Sequence, residues 1–252
     1  MDTIKKTHRD YQAIIGGTAA SSRNYLEKRW NQYYFKTYKH VVSRMIGGLE
    51  NCAGKTVLDV GTSHGNWYSF LKGQGFANLL GVELDPGRAE LAKKSGYTEV
   101  YNCDAANIPL PDKSVDLAVS NDVFVHILQL EDKAAVLKEI QRVLKPGGVF
   151  IFNQTMSPAH GVRNFTIDKH CSYLNLDELI RLVTENTGFS IEDIKPTYFS
   201  FGNKHFSLIA NILRHSFILI PGGVSLRFRR DLLLSGILSL EQSDSVYLKL
   251  RK

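Results

Sequence analysis

Five short apolar runs, Val57–Val60, Leu79–Glu83, Glu99–Ala105, Ser114–Ser120 and Val149–Phe152, follow one another with helix-length segments between most of them. Each is rich in aliphatic and β-branched residues and too short for a packing helix, so each reads as a buried strand. Strands spaced in this way run parallel, because each connection returns over a face of the sheet and both faces become covered. The expected fold is α/β, a doubly wound, mostly parallel sheet. Gly188–Ile194 supplies a sixth strand, and the alternating Ser245–Arg251 fits a seventh, antiparallel strand inserted at the edge. The intervening periodicity predicts helices over Asn24–Met45, Trp67–Lys72, Gly87–Lys94, Glu131–Leu144 and Leu174–Thr187. Asp85-Pro86 caps and starts the third, Asn175 or Asp177 caps the last, and Pro146-Gly147-Gly148 makes the turn from a helix into the fifth strand.

The stretch Asp59-Val60-Gly61-Thr62-Ser63-His64-Gly65-Asn66-Trp67 closes the first strand with an acidic residue and a small-residue turn. Small residues there let the main chain approach a ligand closely, and the amides that open the following helix lack partners of their own. A pyrophosphate would be repelled by Asp59, whereas a ligand with ribose hydroxyls and an ammonium group would be held by it. Glu83 ends the second strand 22 residues beyond Gly61, a spacing at which an acidic residue accepts hydrogen bonds from ribose hydroxyls in nucleotide-binding α/β folds. Asp104 closes the third strand, so three successive strands leave the sheet through a carboxylate.

The Asp59–Gly65 turn resembles motif I of the class I S-adenosylmethionine-dependent methyltransferases, usually Asp/Glu-x-Gly-x-Gly-x-Gly, with Ser63 in place of the middle glycine. Val115–Ser120, His126 and Glu139-Ile-Gln-Arg-Val-Leu-Lys-Pro-Gly-Gly148 resemble the tail of the small-molecule methyltransferase domain of that family. The resemblance implies a Rossmann-like methyltransferase fold, an enzyme, and S-adenosylmethionine as cofactor. It places Asp59, Gly61, Ser63 and Gly65 at the cofactor loop, Glu83 and Leu84 at the ribose, and Asp104 at the adenine amino group. The Ala105 backbone would meet a ring nitrogen. Asn121 falls near the methionine end and Asp122 toward the acceptor. His126, an imidazole that titrates near neutrality, is the candidate base. Members of the family lay a helix before motif I over the cleft, so Tyr33 and Tyr34, with Tyr25 and Trp30, are candidate substrate contacts. Packing of that aromatic stripe onto the domain is the other reading.

The net charge of +6 divides unevenly: residues 1–55 carry ten Lys/Arg against four Asp/Glu, residues 56–194 twelve against eighteen, and residues 195–252 nine against three. Basic ends flanking an acidic middle suggest an anionic partner. Segments 206–220 and 226–240 read as two apolar helices around Pro221-Gly222-Gly223, too short and too charged to span a bilayer, with Arg227, Arg229 and Arg230 clustered. The expected organisation is a helical cap over 1–50, a core over 51–202 and 241–252, and a helical insertion over 203–240 on the substrate side. Three widely spaced cysteines, Cys52, Cys103 and Cys171, and the dispersed His160, His170 and His205 give no metal-ligand spacing. No metal and no nucleic acid are expected, and no signal peptide is read at the polar N-terminus. The expected place is the cytoplasm, with peripheral contact on the inner membrane face and a homodimer contact both left open.

The function expected is methyl transfer to an oxygen or nitrogen atom, carbon being the lesser alternative, of a small or lipid-linked, acidic molecule. A cofactor-binding protein without catalysis and an NAD-type oxidoreductase are the alternatives.

Overall fold

The computed structural model describes residues 25–156, 171–198, 229, 240 and 243–252, with side chains from residue 32 onward. The predicted helices of the 203–240 insertion (apart from Arg229 and Leu240), the side chains of Tyr25 and Trp30, and His160, His170 and His205 lie outside the described residues.

The strands are β1 (Thr56–Val60), β2 (Asn78–Glu83), β3 (Glu99–Asn102), β4 (Val115–Ser120), β5 (Leu144–Thr155), β6 (Ser190–Tyr198) and β7 (Ser245–Arg251). They form one sheet in the order β3-β2-β1-β4-β5-β7-β6. The first five pair in parallel, and β7 runs antiparallel between β5 and β6. Chain order runs outward from β1 to β3 and then returns to β4 on the other side of β1. That reversal opens a crevice at the carboxyl ends of β1 and β4, where doubly wound sheets hold ligands.

Period-two alternation sorts the strand residues between two faces. Leu58, Val60, Ala118, Phe150, Phe152, Leu248 and Leu250 pack under α4 (Leu130–Val143) and α5 (Leu176–Asn186). Val57, Leu79, Leu117, Val119, Val149, Ile151 and Tyr247 pack under α1 (Tyr25–Ile46), α2 (Tyr68–Gly73) and α3 (Pro86–Lys93). The long N-terminal helix α1 is therefore built into the core, through Tyr38, Val41, Val42, Met45 and Ile46. Helix starts follow their side chains: Asp85 accepts from the Arg88 amide at 2.8 Å ahead of Pro86, and Asn175 with Glu178 forms a reciprocal capping box.

Two boundaries depart from the sequence reading. Strand β5 begins at Leu144, before Pro146-Gly147-Gly148 and not after it, because the register jumps from Val115↔Leu144 to Leu117↔Val149 and the intervening residues bulge out. Gly147 takes φ +74 in that bulge and donates its amide to the Lys252 carbonyl at 2.8 Å. Strand β6 runs on through Pro196, which an edge strand tolerates since the missing amide interrupts no second partner.

Asp59 is the main displacement. Alternation turns it onto the same face as Val57, where it is buried and its carboxylate accepts the Tyr97 hydroxyl. It therefore lies behind the loop and does not line the crevice as the motif suggested. Burial pushes its carboxyl up to about 7, against the Tyr97 hydrogen bond that lowers it. Between about pH 4 and about 7 the folded chain holds a proton here that the unfolded chain has lost. The group thus favours folding in acid, and that contribution disappears as pH rises through about 7. Asp59→Asn is expected to gain stability relative to the wild type at pH 8 but not at pH 5, in denaturant titrations at both values. An equal difference at the two pH values would refute this account.

Candidate active site

A cavity of about 370 Å³ lies at the crevice, within the range of small-ligand sites. Its wall is made by the segments that leave β1 (Gly61–Ser63), β2 (Glu83, Leu84), β3 (Cys103–Ala105) and β4 (Asn121–Val123), then by His126–Gln129. Phe35, Asn66, Trp67, Val82, Arg88, Asp132 and Val136 complete it.

The loop after β1 is folded back on β2. The amides of Gly61 and Thr62 both donate to the Val82 carbonyl, at 2.8 and 3.0 Å, and the Ser63 amide donates to Glu83 Oε2 at 2.8 Å. Gly61 stands at φ +81, and a Cβ on it would lie 2.2 Å from Val123 Cγ2, so only glycine lets β1 leave the sheet beside β4. Ser63 adopts φ +49, the left-handed region that the glycine of the motif occupies at little cost. Its Oγ lies 3.1 Å from His64 Nδ1. Gly65, at φ +82, packs on Ser95 and does not line the cavity, so its part is to shape the loop.

Glu83 is the hinge of this edge. Its Oε2 takes the Ser63 amide and its Oε1 takes the Asp85 amide at 3.0 Å, which fixes the carboxylate while each oxygen retains acceptor capacity toward the cavity. Asn102 donates to the carbonyls of Glu83 and Leu84, both at 2.9 Å, and so sets the chain as it leaves β2. Asp104 turns one oxygen to the Ala106 amide at 2.9 Å. Between these carboxylates the wall is apolar, through Val82, Leu84 and Cys103, whose thiol burial pushes up to about 11 and keeps neutral.

On the β4 side, Asp122 takes φ +56 and is clamped to β5: its amide donates to Asn153 Oδ1, and its Oδ1 accepts from Asn153 Nδ2, both at 2.7 Å. Desolvation raises its carboxyl, opposed by hydrogen bonds from Asn153, Tyr38 and Asn121. Asp122 is nonetheless exposed to solvent, which limits that effect. Asn121 Oδ1 accepts the Tyr247 hydroxyl. His126 sits on a single 3-10 turn, Phe124–His126, with Nδ1 at 3.7 Å from Cys171 Sγ.

The cavity thus gathers Gly61, Ser63, Glu83, Leu84, Asp104, Ala105, Asn121, Asp122 and His126. Tyr33 is fully buried and Tyr34 half-buried, their rings 5.5 Å apart, and neither lines it; among the described side chains of α1, Phe35 does. Thr62, Asn66, Trp67 and Arg88 line the cavity without having been singled out, although Thr62, Asn66 and Trp67 lie within or just beyond the recognised motif. Thr62 is 1% exposed, and its Oγ1 has no hydrogen-bond partner among the described residues, a buried hydroxyl that a ligand in the loop would satisfy. Four carboxylates, of Glu83, Asp104, Asp122 and Asp132, line the cavity, and Arg88 is the one permanent cation among the described lining residues. These donors and charges fit a cationic nucleoside. They do not fit a dinucleotide pyrophosphate, since the three loop amides that would hold it are spent on Val82 and Glu83. Among the described residues no cluster of His, Cys, Asp and Glu is arranged to hold a metal ion, and no helix is long and apolar enough to cross a membrane.

Residues 58–152 match the methyltransferase domain family. A probable S-adenosylmethionine-dependent methyltransferase of Mycolicibacterium smegmatis is 32% identical over 167 residues, 64% of this chain and 61% of that protein. A malonyl-[acyl-carrier protein] O-methyltransferase of Serratia marcescens is 28% identical over 46% of this chain and 44% of its own length. The chain spans between about half and three fifths of the length of the first curated relatives it matches. Among solved structures, the O-methyltransferase of a trans-AT polyketide synthase of Brevibacillus brevis, in complex with S-adenosyl-L-homocysteine, superposes with a TM-score of 0.58 at 19% identity, over 84% of this chain and 71% of that one. Strand order, crevice and matched core agree: residues 58–152 match a methyltransferase domain, and the chain around them is similar to S-adenosylmethionine-dependent methyltransferases.

Proposed function

We propose that the protein transfers a methyl group from S-adenosylmethionine to an oxygen or nitrogen atom of a small or lipid-linked, acidic acceptor. The observation that carries the reading is the cavity at the strand reversal, lined by Glu83, Asp104 and Thr62, whose hydroxyl has no hydrogen-bond partner among the described residues. The basic ends of the chain support an anionic acceptor, and the malonyl-[acyl-carrier protein] relative is named for such a substrate.

When bound, the cofactor supplies a methyl group on a sulfonium, already activated for in-line displacement. The chain's task is then alignment. In this reading Glu83 receives the ribose hydroxyls, Asp104 and the Ala105 amide receive the adenine edge, and the apolar wall of Val82, Leu84 and Cys103 excludes water from the ring. The carboxylates of the cavity favour a cation over a neutral ligand. Asn121, fixed by Tyr247 on β7, meets the methionine end of the cofactor, and Asp122, fixed by Asn153 on β5, positions the acceptor side. His126 takes the proton from an acceptor hydroxyl or amine as the new bond forms.

Thermal shift separates the readings, because a ligand that binds the folded state raises its melting temperature. S-adenosylmethionine and S-adenosylhomocysteine are expected to stabilise the protein and NAD is not; stabilisation by NAD alone would end the methyltransferase reading. Glu83→Ala is expected to weaken S-adenosylmethionine binding by about 1–3 kcal/mol in calorimetry, the range for losing hydrogen bonds to a charged group, and unchanged affinity would remove Glu83 from the site. His126→Gln should lower turnover by about two orders of magnitude or more while sparing cofactor affinity, measured with labelled cofactor on the acceptor found by metabolite screening. A fully active variant would exclude His126 as the base.

A further inference from the structure

Lys133 stands in the core stripe of α4, in register with Val136, Leu137 and Ile140, where the helical period calls for an apolar side chain. It is 0% exposed. A buried ammonium is costly to retain, and this one has no carboxylate partner among its hydrogen bonds in the described residues. Desolvation lowers it to about 7, with Cys171 acting in the opposite direction. Its Nζ donates to the Phe124 carbonyl and, at 3.1 Å, to Gln154 Oε1. Gln154, also fully buried, passes the connection on: its Nε2 donates to the carbonyls of Thr155 and Ser172, the latter at 2.9 Å. Ser172 then reaches back, its amide to the Val125 carbonyl at 2.7 Å and its hydroxyl to the Ile127 carbonyl at 2.7 Å.

Three carbonyls of one short turn, those of Phe124, Val125 and Ile127, are thus each held from behind by this chain of side chains. The turn has little structure of its own. It is one 3-10 turn closed by the His126 and Ile127 amides, yet His126, Ile127, Leu128 and Gln129 form one continuous side of the cavity. None of Lys133, Gln154 and Ser172 lines the cavity.

We propose that Lys133, acting with Gln154 and Ser172, is a positioning residue for the acceptor side of the cavity: it fixes the turn that carries His126 and leaves the cofactor side to Gly61–Ser63, Glu83 and Asp104. The catalytic part of this assignment rests on the methyltransferase reading, and the mechanical part does not. Removing the ammonium should release residues 124–129 while the carboxyl ends of β1 and β2, held by their own hydrogen bonds, stay as they are.

The test is Lys133→Met in the full chain, with Ser172→Ala as the milder variant should the first fail to fold. Hydrogen exchange is expected to rise at least tenfold over residues 124–129 with no more than a twofold change over residues 57–64 and 79–85. The His126 ring resonance should shift, and S-adenosylhomocysteine affinity should stay within twofold. With an acceptor in hand, kcat should fall at least tenfold at unchanged cofactor KM. Exchange that rises equally everywhere, or an unmoved His126 resonance in the folded variants, would overturn the proposal and leave Lys133 a stability element. If the wild type binds neither S-adenosylmethionine nor S-adenosylhomocysteine, the methyltransferase reading falls, and the exchange comparison still decides whether Lys133 holds the turn.

Discussion

One carbonyl, that of Val82, accepts two amides, and the geometry of the whole carboxyl edge follows from it. By drawing Gly61 and Thr62 onto β2, it bends the chain sharply as it leaves β1, and the Ser63 amide falls on Glu83. The bend is open only to glycine at position 61, because the chain there passes against Val123 in a left-handed conformation. Close approach from the β2 side has its own condition: a Cβ on Gly81 would lie 2.5 Å from Thr62 Cγ2. The loop therefore spends its amides inward, and what it offers a ligand is an oriented carboxylate and a hydroxyl. A loop built like that selects diols, amines and sulfonium charge over phosphates, which is why a small-residue turn with this pattern points to a different cofactor from the dinucleotide turn it superficially resembles.

Most of the architecture was legible because it rests on period. The seven strands, their alternation with helices, the Asp85 and Asn175 caps and the antiparallel last strand all follow from apolar spacing and from side chains that satisfy helix ends. What failed to show was decided by neighbours distant in sequence. Asp59 matches the motif, yet alternation aims it at Tyr97, 38 residues away, and no local pattern distinguishes a carboxylate facing a ligand from one facing a buried phenol. In α1 the sequence shows a dense aromatic stripe but not its rotation about the helix axis. One step of 100° separates the half-buried Tyr34, stacked on Tyr38, from Phe35, which reaches the cavity. The early start of β5 was hidden by Pro146-Gly147-Gly148, which reads as a stop and is held as a bulge by Lys252, the far end of the chain.

The site residues divide in the same way. Glu83, Asp104 and Asn121 were visible as polar endings of apolar strands, and His126 as a histidine just past one. Thr62 was inside the recognised motif but carried no signal of its own, since a hydroxyl in a turn ordinarily finds a backbone partner; only the folded loop shows it without one. Lys133 was not singled out in the sequence, although the helical period puts it in line with Val136, Leu137 and Ile140. What the period could not reveal is its partners, Phe124 on the turn after β4 and Gln154 on β5, which are distant in sequence.

The departures from ordinary protein chemistry concentrate around this edge. Ser63 and Asp122, two of the four non-glycine residues at positive φ among the described residues, sit in the loops after β1 and β4, which both line the cavity. Thr62, next to Ser63, and Ser120, two residues before Asp122, carry hydroxyls without a hydrogen-bond partner among the described residues. Beneath the first loop is an acid, Asp59, whose proton burial retains; beneath the turn that follows the second is a base, Lys133, whose proton burial disfavours. Their linkages have opposite windows. Asp59 weakens the fold as pH rises from about 4 to about 7, and Lys133 weakens it as pH falls from about 10.5 to about 7, so no pH relieves both. A fold selected for stability alone would place apolar residues at both positions, as neighbouring strand and helix positions on each face already do. Left in place, the two groups hold the loop and the turn by directed bonds to Tyr97, Phe124 and Gln154. Apolar contacts would stabilise those segments more but orient them less, and orientation is what a displacement at a preactivated sulfonium requires of the protein around it.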